Sequence, residues 1–281
     1  MGNGKFRIGV VAPASRITPE LAERAAALAA TLYPGRVEIV FHPQCFLISG
    51  HFAGGDAERA QAFLDIANDP SFDALWMARG GYGANRILER VMARLTRDAE
   101  AKTYMGYSDG GFLLAPLYGR GFRVAHGPIP ADLNRLGGEA AVTRGLRWLV
   151  DGARDALEPT LDGKPAAAFN LTILSHLIGT PYLPDLAGHV LMIEDVSEHH
   201  YRVDRALFHV TSTPELRKIA GLRLGRISDV PPNDPAFGET DEQIARHWCA
   251  RSGIAFLGHA DIGHDVENKV VPFGTTSPSP P

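Results

Sequence analysis

An α/β fold, with a doubly wound parallel sheet in roughly the first half of the chain, is the architecture the sequence predicts, and three observations predict it. Short apolar runs alternate with helical patterns through residues 1–150. Those runs end in loop-forming residues, Pro13 and Ser15 after the first and Gly80 and Gly81 after the third, as strands of such sheets do where their sites lie. Around "LVDGARDALEPTLDGKPAAAFN" the helical pattern breaks into Gly, Pro, Asp and Ala, which places a domain change there.

The elements follow in order. "FRIGVVAPAS" reads as a buried parallel strand. "TPELAERAAALAATLYPG" is a helix capped by Thr18, with Pro19 at its first position, Glu20 and Glu23 in its early turns and a Pro-Gly stop. "RVEIVFHP" is the next strand, "DAERAQAFLDIAND" a second helix, and "FDALWMARGGYG" a strand ending in glycines. "ANRILERVMARL" is helical, "KTYMGYS" a strand, "GGFLLAPLYGRG" a short helix and "FRVAHGP" a strand. Beyond the break, "HVLMIEDVSE" and "IAFLGHADIGHD" read as strands with polar endings, "YRVDRALFHVTST" as a helix between them, and "KVVPFG" as a last strand before "TTSPSPP". The expected organisation is therefore a first domain over 1–150, a linker over 151–168, a second domain over 169–274 and a disordered tail over 275–281.

The chain has 281 residues, 45% of them hydrophobic and 21% charged, enough for a sizeable core in a soluble globular protein. A net charge of −4 with no basic block argues against a phosphate-tracking surface, so no nucleic-acid partner is expected. Cys45 and Cys249 lie far apart outside any CxxC spacing, which leaves neither a disulfide framework nor a zinc signature, and no metal or other cofactor is expected. The start "MGNGKFRIGVVAPAS" lacks a secretory pattern and no apolar run reaches membrane-span length, so the cytoplasm is the expected compartment and no membrane partner is expected.

Chemistry enters at Gly106-Tyr107-Ser108-Asp109-Gly110. A strand, a sharp turn with glycine two residues either side of a serine, and a helix form the pattern of a nucleophile elbow, although Gly, Ser and Asp also make ordinary turns. A serine nucleophile needs a base, and the base an orienting acceptor. Of the eleven histidines, His176 and His247 fall in helical runs, and His42 and His51 lie in loops without acidic neighbours. His264, between Gly263 and Asp265 in a long irregular loop, is the candidate base, with His259 its rival. Glu194 and Asp195 close an apolar strand where a carboxylate can face a site; either could instead cap the next turn or pair with Arg202 or Arg205.

The pieces "IGVVAPAS", "FAGGDAERAQAFLDIANDPSFDALWMARGGYG", "MGYSD", "NLTILSHLIGTPYLPDLAGHVLMIEDVSEHHYRVDRAL" and "IGHDVENKVVPFG" resemble, in order and over most of the chain, the LD-carboxypeptidase family, serine peptidases of murein recycling. The resemblance implies Ser108 as nucleophile, Glu194 as triad acid and His264 as base. It also implies a Rossmann-like first half, a smaller β-rich second half and a site at their junction. The implied substrate is a murein tetrapeptide, cut at the L,D amide bond that releases its terminal D-alanine. The backbone N–H groups of Gly81 and Asp109 are candidate oxyanion donors, and Arg79 and Arg202 candidate holders of the substrate's terminal carboxylate.

Three other functions compete with this reading. A microcin C immunity-type peptidase would keep the chemistry and cleave an aminoacyl or peptidyl nucleotide amide. A non-catalytic muropeptide-binding protein would keep the cleft without the reaction. A metalloenzyme using His199, His200 and Glu198 lacks the HExxH spacing. The sequence leaves open whether two copies pair as a homodimer.

Overall fold

The computed structural model describes residues 4–275, so all but the first residue of the expected tail lies outside the described residues. Five strands of the first half, β1 (Phe6–Val11), β2 (Val37–Phe41), β3 (Ala74–Met77), β4 (Thr103–Gly106) and β5 (Arg123–His126), pair in parallel in the order β5-β4-β3-β1-β2. The helices α1 (Pro19–Leu32), α2 (Asp56–Ala67), α3 (Leu88–Met92), α4 (Gly111–Gly119) and α5 (Gly138–Asp151) connect them. α1 starts where the Leu21 N–H donates to Thr18 Oγ1 at 3.3 Å, with Pro19 at its first position, as a capping serine-threonine-type start requires. α2 starts where the Gly55 N–H donates to Glu58 Oε2 at 2.7 Å. It lies so close to β1 that a Cβ on Gly9 would meet Ile66 at 2.2 Å, which explains the glycine inside that strand.

Helices cover both faces of the sheet. Leu21 and Ala25 of α1 pack with Val142 and Leu146 of α5 on one side. Phe63 of α2, Val91 of α3 and Leu113 of α4 pack on the other, and that second core runs on without a break into Phe169, Leu191, Ile193 and Leu207 of the second half. α4 is buried from Gly111 to Leu117, sandwiched between the halves, because its residues are apolar on every side.

The second half is a four-stranded parallel sheet, β6 (Ala166–Asn170), β7 (Val190–Val196), β8 (Gly221–Ser228) and β9 (Phe256–His259), in sequence order. α6 (Leu171–Leu177), α7 (His200–Ser212) and α8 (Asp241–Ser252) connect them. β6 begins at Ala166, so the last three residues of the expected linker 151–168 already belong to a strand. The final strand, β10 (Val271–Pro272), returns to the first sheet and pairs antiparallel with β5, Val271 opposite His126. Just beyond it Ala166 and Gly274 exchange backbone hydrogen bonds of 3.0 and 2.8 Å, so the segment 271–274 joins the two sheets.

Candidate functional site

β4 ends at Gly106, Tyr107 stays extended, and Ser108 turns sharply into a 3-10 turn that leads into α4. Ser108 has φ +58°, the left-handed region that a residue bearing a Cβ avoids at a cost of order 1–3 kcal/mol. The surroundings hold it there: the Gly110 N–H donates to Tyr107 O at 3.1 Å and the Gly127 N–H to Gly106 O at 3.0 Å. Such a turn projects the serine hydroxyl beyond the carboxyl end of the sheet.

His264 comes to it from the loop after β9. The Ser108 hydroxyl is 2.9 Å from His264 Nε2 and can donate to it, while His264 Nδ1–H donates to Glu194 Oε2 at 2.5 Å. His264 is 8% exposed and Glu194 fully buried. Burial alone would depress the imidazole pKa, but the charge of Glu194 and its hydrogen bond, with Asp195 behind, outweigh burial and the opposing Arg135, so it is raised above its ordinary value. The pair fixes the tautomer in which Nε2 is free to take a proton.

Glu194 and Asp195 were both candidates for the acid, and strand alternation separates them. Asp195 accepts from Asn170 Nδ2 at 2.7 Å and from the Thr172 N–H and hydroxyl at 3.0 and 2.9 Å, anchoring the start of α6. Glu194, one residue earlier, faces His264. His259 ends β9 on the surface, 3.3 Å from Glu242 Oε2, and touches none of this.

The "ARGGYG" turn lies against Ser108. A Cβ on Gly80 would meet Ser108 Cβ at 2.8 Å and Oγ at 2.9 Å, and one on Gly81 (φ +112°) would meet Ser15 Oγ at 2.3 Å, so both positions require glycine. Among the described residues, no turn, loop or side-chain hydrogen bond engages the N–H of Gly81 or of Asp109. The Asp109 side chain, not foreseen from sequence, is buried and accepts the Ala84 N–H at 2.8 Å, tying the elbow to this turn. Burial lifts its carboxyl to about 6 against those backbone hydrogen bonds and the charge of Arg59. Arg59, fully buried, donates from Nη1 both to Gly83 O at 2.8 Å and to Pro13 O.

Arg79 is exposed, next in sequence to Gly80, and donates to Arg16 O at 3.1 Å. Arg202 is exposed on α7 and pairs with Glu198 at 3.4 Å. His200, of the histidine-rich segment, pairs with Asp241 at 2.8 Å, and among the described residues no group of three or more His, Cys, Asp or Glu is placed to hold a metal. A cleft of about 900 Å³ on the outer face of α2 and α3 is lined by His42, Gln61, Asp65, Arg90 and Arg94 and by none of Ser108, Glu194 or His264. No helix of the described residues is long and apolar enough to cross a membrane.

Two sequence profiles match the chain, that of the LD-carboxypeptidase N-terminal domain over residues 8–127 and that of the LD-carboxypeptidase C-terminal domain over 166–277. A murein tetrapeptide carboxypeptidase of Pseudomonas aeruginosa is 27% identical over 96% of this chain and 92% of its own. The crystal structure of a muramoyltetrapeptide carboxypeptidase from Oxalobacter formigenes superposes with a TM-score of 0.80 at 24% identity, over 95% of this chain and 93% of that one. The structure of MccF, a microcin C7 self immunity protein, in complex with glutamyl sulfamoyl guanosine superposes with a TM-score of 0.78 at 18% identity, over 96% of this chain and 91% of that one.

Proposed function

The chain belongs to the LD-carboxypeptidase family, and from that premise we propose that it is a serine carboxypeptidase that hydrolyses the L,D amide bond of murein tetrapeptides and releases the terminal D-alanine. One observation carries the reading: His264 spans the gap between Ser108 Oγ and Glu194 Oε2 with its two ring nitrogens, on a serine held in a strained turn. His264 Nε2 takes the hydroxyl proton as Ser108 Oγ attacks the carbonyl carbon before D-alanine. The tetrahedral oxyanion forms beside the free N–H groups of Gly81 and Asp109, each such donor being worth about 3 kcal/mol of barrier. His264 then gives its proton to the leaving amine, and D-alanine departs from an acyl-enzyme that water hydrolyses by the same proton path in reverse. Glu194 holds the ring in register and stabilises the imidazolium. Arg79, open to solvent beside Gly80, is the better placed of the two arginines to meet the substrate's terminal carboxylate, since Arg202 is engaged with Glu198. The compartment is the cytoplasm, and the chain acts on a free peptide as a monomer or as a homodimer whose subunits each carry a full set of these residues.

The experiment offers purified protein an L,D-linked tetrapeptide and, separately, an aminoacyl sulfamoyl nucleoside. Faster hydrolysis of the tetrapeptide is expected. Hydrolysis of the nucleoside derivative alone would move the chain to the immunity-type activity, and binding of the tetrapeptide without hydrolysis would make it a binding protein.

A further inference from the structure

The catalytic histidine sits on a loop of eleven residues, 260–270, between β9 and β10, yet it must meet Ser108 to within tenths of an ångström. What holds the loop comes from the first half of the chain. Arg135, just after a 3-10 turn over Pro130–Asn134, donates from Nη1 to the backbone O of His264. Its Nε lies 3.3 Å from Asp132 Oδ1, which also accepts the Tyr107 hydroxyl at 2.8 Å. Asp132 Oδ2 accepts the Ile129 N–H at 2.9 Å, so the carboxylate is engaged on both oxygens while 1% exposed. The Tyr107 ring meets the His264 ring edge-on, centroids 4.9 Å apart. Tyr107 is the residue immediately before the nucleophile.

We propose that Arg135 is a positioning residue for the base: by binding the His264 carbonyl while tied through Asp132 to the Tyr107 hydroxyl, it locks the base's backbone to the residue that precedes the nucleophile. The base and the elbow then move as one body, although 156 residues separate His264 from Ser108. A second contact restrains the loop from behind. Asn268 Oδ1 accepts the Gly263 N–H at 3.2 Å and lies 3.1 Å from His126 Nε2, whose pKa burial lowers to about 4. On the far side, Arg226 pairs with Asp261 at 2.6 Å and with Asp265. Arg135 thus acts on the base in two ways, by holding its carbonyl and by opposing, as a cation, the charge that Glu194 and Asp195 invite onto the ring.

The inference rests on the Ser108–His264–Glu194 reading, and its test separates the two. Steady-state kinetics on the L,D tetrapeptide, run from about pH 5 to 9, are compared for the wild type, Arg135→Gln and Arg135→Lys, with thermal melts of each. Arg135→Gln is expected to lower kcat by roughly tenfold or more with KM little changed, the pattern of a displaced reacting group. Its rising limb moves to higher pH, because a cation that disfavours the imidazolium is gone. Arg135→Lys keeps the charge and is expected to restore the limb and part of kcat. The position of the limb does not depend on the fraction of protein folded, so a less stable variant still reports. A kcat and limb identical to wild type would overturn the inference, as would a rise in KM alone, which marks a contact with substrate. A wild type that leaves the tetrapeptide intact would overturn the underlying reading instead.

Discussion

Ser108 combines a strained backbone with a hydroxyl already hydrogen-bonded to His264, and its removal should leave the fold intact because that hydroxyl contributes little to the core. Ser108→Ala is expected to abolish hydrolysis with an unchanged melting temperature; retained turnover would remove Ser108 from its role. The His264 pKa is raised, so activity in the wild type should climb through a limb above about 6.5 as the ring loses its proton. Glu194→Gln removes the charge that favours the imidazolium, so the limb should move to lower pH while kcat falls; a limb that stays put would mean another group controls it. His259→Ala, at a surface position paired with Glu242, should change neither. Ser108 stood out in the sequence because Gly106 and Gly110 bracket it in a turn that projects a side chain, and His264 because it follows Gly263 in a long irregular loop. The choice of Glu194 over Asp195 was not, from the residues alone, since both end the same strand; only the pairing of Asp195 with Asn170 and Thr172 shows which way each points.

The Ser108 turn and the "ARGGYG" turn form a single unit, joined by Asp109. Gly80→Ala would push a methyl to within 2.8 Å of Ser108 Cβ, so the turn or the serine must shift. We expect kcat to fall roughly tenfold or more while stability changes far less, read from kinetics and melting curves. Asp109 adds a second test. A carboxyl lifted from its ordinary value to about 6 in the folded state binds its proton more tightly there than in the unfolded chain. Its contribution is therefore most favourable below about pH 4 and is lost as pH rises through about 6, a change of about 3 kcal/mol. The stability difference between wild type and Asp109→Asn should drift by that order across the window in denaturant titrations; a constant difference would contradict the buried, proton-binding carboxyl. The five strands of the first half and its helices α1, α2 and α4 were legible because their apolar runs are strong and Thr18 caps α1. The start of β6 was not: Ala166, Ala167 and Ala168 carry neither β-branched nor aromatic side chains, so they read as linker. β8 alternates leucine with arginine and glycine and offered no clear strand signal.

At the scale of the molecule, the two halves are less separate than a linker between them suggests. They share a continuous core around α4, β10 closes the edge of the first sheet, and the hydrogen-bonded set takes Ser108 from one half and Glu194 and His264 from the other. Heating should therefore give a single unfolding transition with matching calorimetric and van't Hoff enthalpies; two resolved transitions would show the halves to be independent. The resemblance implied a site at the junction of the halves, but the pairing of β10 with β5 and the Tyr107–Asp132–Arg135 chain were not legible in the sequence, because they depend on which distant segments the folded sheets bring together. The central claim is that these halves assemble one serine peptidase site. Its most direct test is mass spectrometry of an L,D-linked murein tetrapeptide incubated with wild type and with Ser108→Ala in parallel. Loss of one alanine with wild type alone is the predicted result, whereas an intact peptide with wild type, or equal loss with Ser108→Ala, would contradict it.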